Sequence, residues 1–129
     1  MSVSLEGKTI LITGASSGIG ESTARACVTA GMRCVINARR EDKLKTLSKE
    51  LGSACSIVVG DVTNEGFNQH LLDESGSLYA IFANAGHGLN QSMIDCNMDQ
   101  CKELFELNVF SAIELASLAA KQMVEQKQG

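Results

Sequence analysis

Short apolar runs alternate along the chain with longer amphipathic stretches. Lys8 to Thr13, KTILIT, is brief, apolar and β-branched, the pattern of a strand buried on both faces of a parallel sheet. Ile19 to Ala30 follows with helical spacing, and Gly31 stands where a helix C-terminus takes glycine. Met32 to Asn37, MRCVIN, predicts a second strand. Glu41 to Leu51 predicts a charged helix with Leu44, Leu47 and Leu51 on one stripe, ended by Gly52. Cys55 to Val59 predicts a third strand, and Asn64 to Glu74 a weaker helix with Phe67, Leu71 and Leu72 on its apolar side. Leu78 to Ala83, LYAIFA, predicts a fourth strand with Tyr79 in the core. From Met98 to about Gln126 the spacing is helical again, with Leu104, Leu107, Phe110, Leu115, Leu118 and Met123 as core positions.

Strand and helix alternate four times, which predicts an α/β fold with helices on both faces of a parallel sheet. Right-handed crossovers favour the order 3-2-1-4. The expected architecture is therefore a three-layer, doubly wound sheet of the Rossmann type over residues 1–129, truncated after the fourth β-α unit. In such a sheet ligands bind beyond the carboxyl ends of the strands. TGASSGIG, Thr13 to Gly20, lies at that end of the first strand and opens the first helix. Gly14 would make the turn out of the strand, Gly18 would let the backbone approach a pyrophosphate, and Gly20 would let the helix pack closely on the sheet. Free N–H groups at the helix start would face the phosphates, with the hydroxyls of Ser16 and Ser17 as further donors.

Composition narrows the possibilities. The apolar fraction is 44% and the charged fraction 20%, ordinary for a globular domain. A net charge of −4 argues against a nucleic-acid partner, and no apolar run is long enough to span a bilayer. Five scattered cysteines without a CxxC pair, beside two histidines, argue against a metal site; reduced thiols and a cytoplasmic location are expected. Cys96 and Cys101 flank a helix start and read as packing or solvent-side thiols rather than as a redox pair. Asp95 and Asp99 read as helix-start carboxylates.

The spacing G-x-x-x-G-x-G resembles the cofactor motif TGxxxGIG of the short-chain dehydrogenase/reductase family, which includes Ile19. Three further stretches fit that family in its order. Asp61-Val62 resembles the aspartate that hydrogen-bonds the adenine ring. Asn84-Ala85-Gly86, within FANAG, resembles NNAG, with Ala83 in place of the first Asn. Asn108, within ELNVF, resembles the active-site Asn that sits in a helix and holds a proton-relay water. The resemblance implies an oxidoreductase that interconverts a carbonyl and an alcohol of a small molecule. It also implies homo-oligomer contacts through the helix near 98–126.

The end of the second strand bears on the dinucleotide. A carboxylate there would accept from the ribose 2′-OH and select NAD. Here Asn37-Ala38 is followed by Arg39 and Arg40, and a guanidinium can bind a 2′-phosphate. Arg39 resembles the family's NADP-selecting basic residue, and Arg40 either assists or stacks on the adenine. NADP is expected over NAD. The competing reading is a solvated helix start, since Glu41 and Asp42 follow directly. The family's Tyr-x-x-x-Lys is not within the 129 residues: the single tyrosine, Tyr79, has Ala83 four positions on. The expectation is that the catalytic Ser, Tyr and Lys lie in further sequence. The alternative is a dinucleotide-binding module without turnover. His87, directly after Asn-Ala-Gly, would lie near a nicotinamide but reads as a loop histidine.

Overall fold

The computed structural model describes residues 3–129. Four parallel strands, β1 (Thr9–Thr13), β2 (Arg33–Ala38), β3 (Cys55–Val59) and β4 (Ala80–Phe82), form one sheet in the order β3-β2-β1-β4. The helices are α1 (Gly18–Thr29), α2 (Glu41–Leu51), α3 (Phe67–Ser75), α4 (Met98–Phe105) and α5 (Ser111–Gln126). The expected strand order and three-layer arrangement are both observed.

The layers follow from the pleat. Successive strand residues point to opposite faces, and both faces are covered. Ile10, Ile12, Cys34 and Ile36 pack with Ala24 of α1 and with Leu44 and Leu47 of α2. Leu11 and Val35 pack on the other face with Leu71 and Leu72 of α3 and Leu115 and Ala119 of α5. Leu11, Ile12, Ile36, Leu44 and Leu71 have no accessible surface. Burying each stabilises the fold by roughly 1.5–3 kcal/mol. At the sheet edge, β4 is only half-buried.

Several elements differ from the sequence expectation for local reasons. α3 begins at Phe67, not Asn64, because residues 61–64 form a turn, with Asn64 N–H donating to Asp61 O, and Gly66 precedes the helix at φ +74°. β4 has only three residues, and Tyr79 lies just before it, half-buried, with Lys8 Nζ 3.8 Å from its ring centroid. The helix expected from Met98 to Gln126 is interrupted by a π-helical turn, Glu106–Phe110. The extra residue in that turn shifts the helical stripe, and Phe110, expected in the core, is 55% exposed. Asn97, rather than either aspartate, caps α4: its Oδ1 accepts from the N–H groups of Asp99 and Gln100.

Candidate cofactor site

The carboxyl ends of β1, β2 and β3 open onto a cleft whose lining includes Gly14, Ser17, Arg39, Asp61, Gly86 and Leu107. Its floor is held by two buried polar side chains. Thr13 Oγ1 accepts from the N–H groups of both Asn84 and Ala85, which pins the loop after β4 to the end of β1. Asn37 Nδ2 donates to the carbonyls of Val58 and Gly60, and Asn37 O accepts from Ala15 N–H. Asn37 thus joins the ends of β2 and β3 to the glycine turn. In the sequence Asn37 marks only a strand end. Its signal was a polar residue inside an apolar strand.

Gly14 and Gly20 are required by close approach. At Gly14, φ is +67° and an added Cβ would lie 2.8 Å from Ala85 Cα. At Gly20 an added Cβ would meet Gly14 O at 2.5 Å and Asn84 Nδ2 at 2.8 Å. Gly18 differs: φ is +58°, yet nothing lies within 4 Å of an added Cβ. Its surroundings are open on the side away from the core. Ile19 beside it is 71% exposed. Ser17 is the N-cap residue of α1 but its side chain makes no capping hydrogen bond, which leaves first-turn N–H groups for another acceptor.

Arg40 reaches the same helix end. Its Nη2 donates to Ser16 Oγ at 2.9 Å and to Ser17 Oγ at 3.1 Å. A guanidinium beside the positive end of a helix dipole makes a site whose natural occupant is an anion. Arg40 therefore lies against the serines of the glycine turn. Arg39 points the other way, with Nη1 3.8 Å from Asp61 Oδ2 and a side chain 71% exposed.

Asp61 Oδ1 accepts from Thr63 N–H at 2.9 Å and Thr63 Oγ1–H at 2.7 Å. Partial burial raises its pKa, but these two hydrogen bonds and the Arg39 guanidinium outweigh it and hold the carboxyl below its ordinary range. The folded pKa is depressed, so the stabilisation is present above the unfolded value and is lost as pH falls through the folded one. Below about pH 4 the parent chain is expected to lose stability more steeply than Asp61→Asn. Denaturant midpoints measured across that range check this.

Asn84, expected to line a ribose, instead turns its amide toward the back of the glycine turn, with Nδ2 3.2 Å from Thr13 O and 3.4 Å from Gly14 O. Ala85, Gly86 and Val62 do line the cleft. Asn108 sits in the π turn and clasps the backbone of His87: Nδ2 donates to His87 O at 2.8 Å and Oδ1 accepts from His87 N–H at 3.1 Å. The approach needs a glycine next door, since a Cβ on Gly86 would lie 2.9 Å from Asn108 Oδ1. Asn108 is thus a positioning residue for the cleft-lining loop. Asn108→Ala removes both bonds, of which the one on the His87 N–H contributes roughly 1 kcal/mol. The His87 amide is expected to exchange about fivefold faster; hydrogen exchange followed by NMR checks it.

No group of three or more His, Cys, Asp or Glu residues that could hold a metal ion occurs among the described residues. No helix among them is long and apolar enough to cross a membrane.

Fold and cleft together define a Rossmann-type domain with a glycine-rich first turn. The sequence profile of the short chain dehydrogenase family matches residues 8–129. The chain belongs to that family. It is 35% identical over 133 aligned residues to short chain aldehyde dehydrogenase 1 of Euphorbia lathyris, covering 97% of this chain and 46% of that protein. Among solved structures, a short chain dehydrogenase/reductase from Burkholderia phymatum in complex with NAD superposes with a TM-score of 0.93 at 27% identity, covering 99% of this chain and 48% of that one. The closed form of serine dehydrogenase complexed with NADP+ gives 0.87 at 25% identity, covering 94% and 51%. The chain spans about half the length of these relatives.

Proposed function

We propose that this chain is the cofactor-binding part of an NADP(H)-dependent oxidoreductase that interconverts a carbonyl and an alcohol of a small molecule. The observation that carries the choice of dinucleotide is the end of β2, where Arg39 and Arg40 stand in place of a carboxylate and both line the cleft. The open helix start at Gly18 and the Ser16–Ser17–Arg40 cluster fit a pyrophosphate. Arg39, free on its outer side, fits a 2′-phosphate, and its exposed contact with Asp61 is weak enough to yield. Asp61 Oδ2 and Val62 frame the adenine. Ala85 and Gly86 line the nicotinamide ribose. Ile19 presents the apolar surface against which the cofactor's other end lies. The bound nicotinamide supplies the hydride acceptor or donor.

Asn108 holds the loop carrying Gly86 and His87, and through it supports the proton relay. The family's Tyr-x-x-x-Lys, which would supply the proton, does not occur in the 129 residues. Titration of the chain with NADPH and with NADH tests the proposal: tighter binding of NADPH is expected, and equal affinity removes the preference. The second reading, a dinucleotide-binding module without turnover, draws on the missing Tyr-x-x-x-Lys. Binding of NADPH without reduction of any of a panel of ketones and aldehydes by the purified protein would favour it. A cytoplasmic location belongs to the same proposal, since an NADP(H) enzyme with reduced thiols suits that compartment.

Self-association through the α4–α5 region is also proposed, because Phe105, Phe110 and Ile113 are each more than half exposed. Light scattering across protein concentration reads the oligomeric state.

A further inference from the structure

A second constellation lies outside the cofactor cleft, at the start of α4. Cys96 precedes the helix and Cys101 is in its first turns, and their Sγ atoms are 3.3 Å apart. Gln91 supports both: its Nε2 donates to Cys96 Sγ at 3.6 Å and to Cys101 Sγ at 3.4 Å, while its Oε1 accepts from Asn97 N–H. A disulfide needs about 2.05 Å between sulfurs, so closure asks for a shift of little more than an ångström. Both cysteines are half-buried and within reach of a small reagent. The other three thiols differ. Cys34 and Cys55 are buried, and burial pushes Cys34 up to about 12 and raises Cys55 and Cys27. Cys34 and Cys55 stay protonated and shielded from a reagent.

We propose that Cys96 and Cys101 form a redox-active dithiol, which small disulfides of the glutathione class oxidise to an intramolecular disulfide that pins the 91–97 segment onto α4. The proposal does not rest on the cofactor reading. One of the two thiols gives up its proton and its sulfur attacks the small disulfide. The S–S bond of the reagent breaks, one small thiolate leaves, and a mixed disulfide remains. The other thiol then loses its proton and its sulfur displaces the second small thiolate. The two protons end on the two released thiols, so the protein gives up two hydrogens and the reagent takes up the two electrons. With the second sulfur already in contact, resolution is intramolecular and the mixed disulfide does not accumulate.

The reduced chain is equilibrated in glutathione buffers of rising oxidised fraction, quenched with an alkylating reagent under denaturing conditions, weighed intact and peptide-mapped. The expected product has lost two hydrogens, keeps three alkylatable cysteines, links Cys96 to Cys101 and reverts with dithiothreitol. Cys96→Ser and Cys101→Ser are each expected to gain one glutathione instead. Five alkylatable cysteines across the whole range would overturn the proposal. So would stable glutathione adducts on the parent chain, or a link through Cys27, Cys34 or Cys55.

Discussion

Gly18→Val is expected to weaken NADPH binding by about a hundredfold, roughly 2.7 kcal/mol, while helix content stays near that of the parent chain. Two effects combine. The backbone at Gly18 sits at φ +58°, where a β-branched residue is strained. In the proposed pyrophosphate site, the added side chain would also take up open space beside the first-turn N–H groups of α1. Nothing of the protein itself lies within 4 Å of the new Cβ, so the fold is not overpacked by the change. Gly20→Val is the contrasting variant. Its Cβ would run into Gly14 O and Asn84 Nδ2, and its expected defect is a loss of folding stability. Calorimetric titration for binding and circular dichroism for helix content separate the two. Unchanged affinity in Gly18→Val would remove the glycine turn from the cofactor site.

Arg39→Asp is expected to lower NADPH affinity by about two orders of magnitude and to change NADH affinity by only a few-fold. Charge-assisted hydrogen bonds to a phosphate contribute about 1.5–3 kcal/mol, and the introduced carboxylate adds repulsion. NADH has no 2′-phosphate and is insensitive to both terms. The introduced carboxylate also faces Asp61, whose Oδ2 lies 3.8 Å from the native guanidinium, so a small common loss of stability accompanies the change. Equal losses for both dinucleotides would remove Arg39 from the 2′-phosphate role. If the selective loss appears in Arg40→Ala instead, the phosphate is read from the Ser16–Ser17 side of the cleft.

Much of the fold was legible because parallel strands buried on both faces leave a simple mark. TILIT, RCVINA and CSIVV are mostly apolar, and the helices between them keep a 3.6-residue stripe. The boundaries of α2 and β3 follow the expectation because Gly52 and the charged start at Glu41 act locally. The stretch from 98 to 126 misled because a π turn leaves no mark in periodicity; it only displaces the residues after it, and Phe110 moved to solvent. Asp99 stands in the first turn of α4 as a helix-start carboxylate, while the cap itself, Asn97, carries no charge to mark it in the sequence.

The amino-acid sequence by itself determined the α/β class, the glycine turn and the basic pair directly after β2, since each depends on neighbours in the chain, and the strand order followed from the handedness of crossovers in that class. Tertiary structure decided where the polar side chains point. Asn84 turns behind the glycine turn, Asn108 clasps His87, Arg40 joins the serines while Arg39 meets Asp61, and two sulfurs five residues apart come into contact. A polar side chain takes the partner that folding places within about 3 Å. That partner is fixed by how segments distant in the chain come together.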